Sequence, residues 1–134
     1  RMDPTTLHWP AIVCAALLTF LLGGLWYSPL LFGRAWQRLV GLEDAELQKG
    51  LPRVFGGAAL CALVGATNLA MFLGPDATLG FGVAAGAATG VGWIATALTT
   101  TFLFERRPLT LVAIDAGYHA VAYTAMGALI GAWS

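Results

Sequence analysis

The sequence predicts an all-α integral membrane bundle of four transmembrane helices, with a short amphipathic interfacial helix after the first. Three observations carry this. The 134 residues are 58% hydrophobic and only 10% charged, against about 25% charged in soluble domains. The few charges are bunched, chiefly between Arg34 and Arg53 and at Glu105, Arg106 and Arg107. Four long stretches are left nearly free of them, and about 20 apolar residues cross a ~30 Å hydrocarbon core as helix. These runs lack the period-2 alternation of a membrane β-strand, so a barrel is not expected.

The spans are read at 9–27, 54–74, 79–104 and 109–133, which makes the whole chain, 1–134, a single transmembrane domain. Ser28-Pro29 should end the first span, because proline cannot continue the hydrogen-bond ladder. That span has no clear small-residue cleavage site and is long enough to cross, so it is not expected to be a signal peptide. Arg1 precedes Met2 and is expected to be a non-native remnant.

After the first span, apolar residues between Leu30 and Val40 recur at helical spacing, with Arg34, Gln37 and Arg38 among them. Such a segment suits the interface, with Trp36 at headgroup depth. Gly33 is expected to allow a bend into it. Glu43-Asp44-Ala45-Glu46-Leu47 opens a second short helical turn, acidic at its start as the helix dipole prefers. Lys49-Gly50-Leu51-Pro52 is expected to close that turn. The connections at 74–78 and 105–108 are tight turns, which force neighbouring helices to be antiparallel and adjacent.

With four spans, Arg34, Arg38, Lys49, Arg53, Arg106 and Arg107 share one side of the membrane. The positive-inside rule makes that side cytoplasmic and puts both termini outside, in the periplasm for a bacterial inner membrane. Net charge is zero and no basic stripe is present, so no nucleic-acid partner is expected.

On the third span, Gly82, Gly86, Thr89, Gly90, Trp93, Thr96, Ala97 and Thr100 fall on one side at about 100° per residue. Small residues let helix backbones approach, so this side is expected to face protein. Ala84, Ala88, Val91, Ala95, Leu98 and Phe102 fall on the other. Gly80-x-Gly82 is not read as a dinucleotide loop, because no strand precedes it. On the fourth span, Ala113, Gly117, Ala120, Thr124, Gly127 and Gly131 form a second small-residue seam. Beside it runs a stripe of Val112, Asp115, His119, Ala122, Met126 and Trp133, flanked by Tyr123.

Asp115 is the one formally charged residue deep in an apolar segment, and His119 follows one turn later. Counted from the start of the span, they lie ~9 and ~15 Å into the membrane. An intramembrane ionisable residue is a pointer to function. The structural reading is a hydrogen bond between Asp115 and His119 that fixes helix register. The functional reading is a proton or cation site, since an Asp–His pair suits an intramembrane relay. A metal site is weaker, because zinc wants three or four ligands and the pair supplies two. Hydrolysis has least support: Ser28 and Ser134, the only serines, do not sit in a nucleophile elbow. No cofactor motif occurs and no cofactor is expected. Cys14 and Cys61 would lie ~10 Å apart in depth in antiparallel helices, too far to pair.

The run Gly24-Leu25-Trp26-Tyr27-Ser28-Pro29-Leu30-Leu31-Phe32-Gly33-Arg34-Ala35-Trp36 resembles the signature of a bacterial membrane-protein family called domain of unknown function 1761. Leu103-Phe104-Glu105-Arg106-Arg107-Pro108 and Ile114-Asp115-Ala116-Gly117-Tyr118-His119 fit it further along. The resemblance implies a small four-helix membrane protein and supplies no activity. It draws attention to Trp26, Tyr27, Pro29, Phe32, Gly33, Trp36, Asp115, Tyr118 and His119. The candidate polar site is therefore Asp115, His119, Tyr118 and Tyr123. A candidate lipid or ligand pocket comprises Trp26, Tyr27, Trp36, Arg34 and Arg38, the arginines suiting an anionic headgroup. Two functions stay open. One is an oligomeric proton-linked transporter or ion-conducting protein; the other is a non-catalytic module that binds lipid or a partner. An enzyme is the more distant reading. Surplus small-residue faces on the last two spans lead to the expectation of a homo-oligomer in contact with membrane lipids.

Overall fold

The computed structural model describes residues 7–133; the expectations placed on Arg1 and Ser134 lie outside them. Every regular element among the described residues is helical. The order is α1 (Trp9–Trp26), α2 (Gly33–Val40), α3 (Asp44–Leu47), α4 (Leu51–Leu73), α5 (Leu79–Thr89), a π-helical stretch (Gly90–Ala95), α6 (Thr96–Phe104) and α7 (Leu109–Trp133). The third long helix runs unbroken from Leu79 to Phe104 through the π-helical stretch.

Three helices are long and apolar enough to cross a membrane: Trp9–Trp26, Leu51–Leu73 and Leu79–Phe104. Their outward side chains include Leu21 (73% exposed) and Phe104 (78%), an apolar surface that suits lipid and not water. Helix α7 matches them in length but carries Asp115, Tyr118, His119 and Tyr123. It packs against all three of the others. The long helix that carries Asp115 and His119 is thus the one most enclosed by protein.

Local chemistry sets the helix ends. Pro10 lies in the first turn of α1, where its missing N–H costs nothing. The same holds for Pro52, so α4 begins at Leu51 and not at 54. Lys49 closes α3, its amide bonding the Glu46 carbonyl (3.2 Å), while Leu51 and Pro52 open α4. Gly50, left-handed at φ 65, makes the joint. Helix α3 starts with a capping box between Glu43 and Glu46, which satisfies two orphan amides. The Thr78 hydroxyl accepts from the Phe81 amide (3.1 Å) to cap α5. After α6 the chain turns through Arg106 at φ 61, with the Arg107 amide reaching back to the Phe102 carbonyl (3.0 Å).

Helices α5 and α7 are antiparallel and meet through bare backbone. A Cβ on Gly82 would strike the Gly127 carbonyl, and one on Gly127 would strike that of Gly82. Gly86 lies against the Tyr123 carbonyl, Gly90 against Ala120, and Gly131 against the Thr78 carbonyl. The expected faces hold only as far as Gly90. Beyond it Trp93 (71% exposed), Thr96, Ala97 and Thr100 point outward, while Ala95, Leu98 and Phe102 turn partly inward. A π turn takes in one more residue than an α turn, which rotates everything after it by about 100°. The seam on α7 is also shorter than expected: Ala113 is exposed, and Gly117 packs against the Trp26 indole (3.2 Å from an added Cβ).

Helix α1 runs antiparallel to both α4 and α7. Ile12, Ala15, Ala66, Leu69, Met126 and Ile130 make the apolar core. It occupies the half of the bundle where His8 meets Trp133, ring centroids 5.3 Å apart. The other half is held differently, by hydrogen bonds and aromatic rings.

Candidate functional site

That half is organised by the elbow between α1 and α2. Helix α1 stops at Trp26, and the Phe32 amide returns to bond the Trp26 carbonyl (3.0 Å). The Gly33 amide bonds the Ser28 carbonyl (2.9 Å). Gly33 is buried, and a Cβ there would collide with the Tyr27 carbonyl. The chain bends at Gly33, and the residue is required there because two backbones approach closely. The tight elbow aims Trp26 and Tyr27 at the first turns of α7 and brings Trp36 beside them.

Two hydrogen bonds join the elbow to α7. The Tyr27 hydroxyl donates to Asp115 Oδ1 (2.7 Å), and Trp26 Nε1–H donates to the Ile114 carbonyl (2.9 Å). One turn deeper, the Tyr118 hydroxyl donates to the Thr19 carbonyl of α1 (2.8 Å). That carbonyl is drawn into tertiary contact beside the Thr19 hydroxyl, which donates to Ala16 (2.6 Å). Aromatic contacts fill the space. Ring centroids are 5.6 Å apart for Tyr27–Trp36, 5.5 Å for Tyr27–Tyr118, 5.0 Å for Trp26–Phe32 and 5.1 Å for Tyr118–His119. Such tilted and edge-on pairs are the favoured arrangements.

Asp115 and His119 are half-buried on one face of α7 but do not hydrogen-bond each other. The short Asp115 side chain turns to the Tyr27 phenol instead. Among the described residues, neither ring nitrogen of His119 has a hydrogen-bond partner. The ring stands between two cavities. One, about 210 Å³, lies among α1, α4 and α7 and is also lined by Tyr118, Tyr123 and Cys61. The other, an open groove of about 390 Å³, lies between the same ring and Trp93, Leu98 and Thr101. Tyr123 is held over α4, where a Cβ on Gly65 would collide with its hydroxyl.

The candidate ligand residues thus divide. Trp26, Tyr27 and Trp36 join Asp115, Tyr118 and His119 in one cluster. Arg34 and Arg38 do not join it; they face a separate cleft between α2 and α3 with Glu43 and Asp44. There Gln37 Nε2 donates to Asp44 Oδ1 (2.7 Å). Both cysteines are free thiols, Cys61 at the cavity wall and Cys14 away from it. Among the described residues no three His, Cys, Asp or Glu side chains gather as metal ligands would. The sequence reading missed Thr19 and Phe20. Thr19 had a signal, being the one hydroxyl residue within α1.

Fold and site together define a helical bundle, three of its helices apolar enough to cross a membrane, with a polar–aromatic cluster at one end and His119 below it. The sequence matches, over residues 10–131, the family described as a protein of unknown function, DUF1761, and the chain belongs to that family. No curated protein and no solved structure matches it.

Proposed function

We propose that this protein is a four-span bacterial inner-membrane protein that moves protons, alone or coupled to a solute, with Asp115 and His119 as the titrating groups. The observation that supports it most is the position of His119. Its imidazole lines both the cavity among α1, α4 and α7 and the groove beside Trp93, one turn from the carboxyl group of Asp115. A neutral imidazole donates from one nitrogen and accepts at the other, so a ring reached from two sides can take a proton on one and release it on the other. The Tyr27 phenol would hold Asp115 in place at the elbow end.

In this reading α7 is the fourth span, α2 lies in the interface, the Arg- and Lys-bearing connections are cytoplasmic and both termini lie outside. A second copy of the chain would close the groove beside Trp93, making the working unit a homo-oligomer. The test is proton flux into liposomes carrying a pH-sensitive dye. Wild type should conduct, and Asp115→Asn and His119→Gln should each lose most of the flux while remaining folded. Equal traces for all three would end the reading.

A second reading has its own observation. Two guanidiniums and two carboxylates face the α2–α3 cleft, a charge pattern that matches a zwitterionic phospholipid headgroup. It predicts that Arg34→Ala with Arg38→Ala strips co-purifying phospholipid and leaves any proton flux intact.

A further inference from the structure

We infer that the cavity among α1, α4 and α7 is a binding site for a neutral, single-ring amphiphile of the phenol class, entering from the bilayer. Size comes first. An apolar cavity of ~150 Å³ takes up benzene, so about 210 Å³ holds a ring with one or two small substituents and excludes a phospholipid. The walls then choose a ring over a chain. Phe20, Tyr118, His119 and Tyr123 all line the space, and aromatic rings pack edge-on or offset against one another.

The polar groups choose the substituent. Neither the Tyr123 hydroxyl nor the His119 ring nitrogens have a hydrogen-bond partner among the described residues. At bilayer depth there is little water to serve them, and polar groups there need a partner. A phenolic hydroxyl can donate to His119 while accepting from Tyr123, or the reverse. Neutrality follows from what is absent from the wall: Asp115 faces Tyr27 outside the cavity, and no arginine or lysine lines it. Access follows from the rim, where Ala58 and Cys61 are exposed. Gly65 matters to the shape, since any side chain there would displace the Tyr123 hydroxyl.

This inference needs no proton flux, so it can stand or fall apart from the transport reading. The test is ¹⁹F NMR of 4-fluorophenol added to the full chain in detergent micelles, measured against empty micelles. Wild type should show saturable binding. Ala58→Trp and Cys61→Phe, both at exposed rim positions, should each weaken it by about tenfold or more. Fluorobenzene, lacking the hydroxyl, should bind about tenfold more weakly, the weight of one good hydrogen bond. Far-UV circular dichroism and thermal melting would verify that both variants are folded. Wild-type signals no different from empty micelles would overturn the inference. So would binding that neither rim variant weakens, because the ligand would then sit elsewhere. Equal binding of fluorobenzene would remove the polar anchor and with it the ligand class.

Discussion

The Tyr27–Asp115 hydrogen bond ties together residues 88 positions apart. It joins a phenol to a half-buried carboxyl group, so Tyr27→Phe should cost about 1–2 kcal/mol. A double-mutant cycle with Asp115→Asn isolates the bond: the same substitution in the Asp115→Asn background should cost clearly less, and full additivity would mean the bond contributes nothing. Arg106 poses the opposite case. Its φ of 61 strains an L-residue by about 1–2 kcal/mol, and glycine relieves that at some cost in chain entropy. Arg106→Gly should therefore raise the melting midpoint in detergent. A lower midpoint would show that the guanidinium bond to the Phe104 carbonyl (2.9 Å) outweighs the backbone. At this scale the sequence was a partial guide. Asp115 and His119 announced themselves as ionisable groups in apolar surroundings, but their partners could not be read. The local rule pairs residues one turn apart, and the actual donor came from the far end of the chain.

Among the elements, the glycines separate by what surrounds them. A Cβ at Gly82 meets the backbone of α7, while one at Gly57 meets nothing within 4 Å. Gly82→Ala should destabilise by about 1–3 kcal/mol through overpacking. Gly57→Ala should stabilise by up to about 1 kcal/mol, because alanine is the better helix former. Thermal unfolding of the two variants side by side decides it, and equal effects would refute the close crossing of α5 and α7. Gly33→Ala belongs with Gly82: the elbow would have to open, so the Tyr27–Asp115 bond and the packing of Trp36 should be lost together. Thermal unfolding checks it: a Gly33→Ala protein that melts like Gly57→Ala would refute the tight elbow. The long helices were legible because charge bunches at their ends and composition is uniform within them. The rotation after Gly90 was not, since nothing in Gly-Val-Gly-Trp-Ile-Ala distinguishes a π turn from an α turn. The pattern of small and hydroxyl residues runs straight through it, and only packing against α7 reveals the extra residue.

Across the whole molecule, two of the three segments that sequence resemblance singled out are parts of one place. Trp26 to Trp36 and Asp115 to His119 meet because α1 and α7 are antiparallel neighbours, and the elbow folds the first motif back over the second. That adjacency depends on tertiary arrangement, so the sequence yielded a polar site and a separate aromatic pocket, where the structure joins the aromatics to the polar site and leaves Arg34 and Arg38 at a cleft of their own. The bare-backbone crossing of α5 and α7 also has a mechanical meaning. At Gly82, Gly86 and Gly127 no side chain stands between the helices, so there is no rotamer to flip and no layer to slide. Motion of packed helices ordinarily proceeds by small side-chain adjustments along a shear plane. The pair therefore behaves as a single stiff spar. Helix α4 meets it through side chains, and α1 through side chains and a few hydrogen bonds that can break and re-form. Any breathing of this bundle is theirs, and the space they hinge over is the chamber walled by His119.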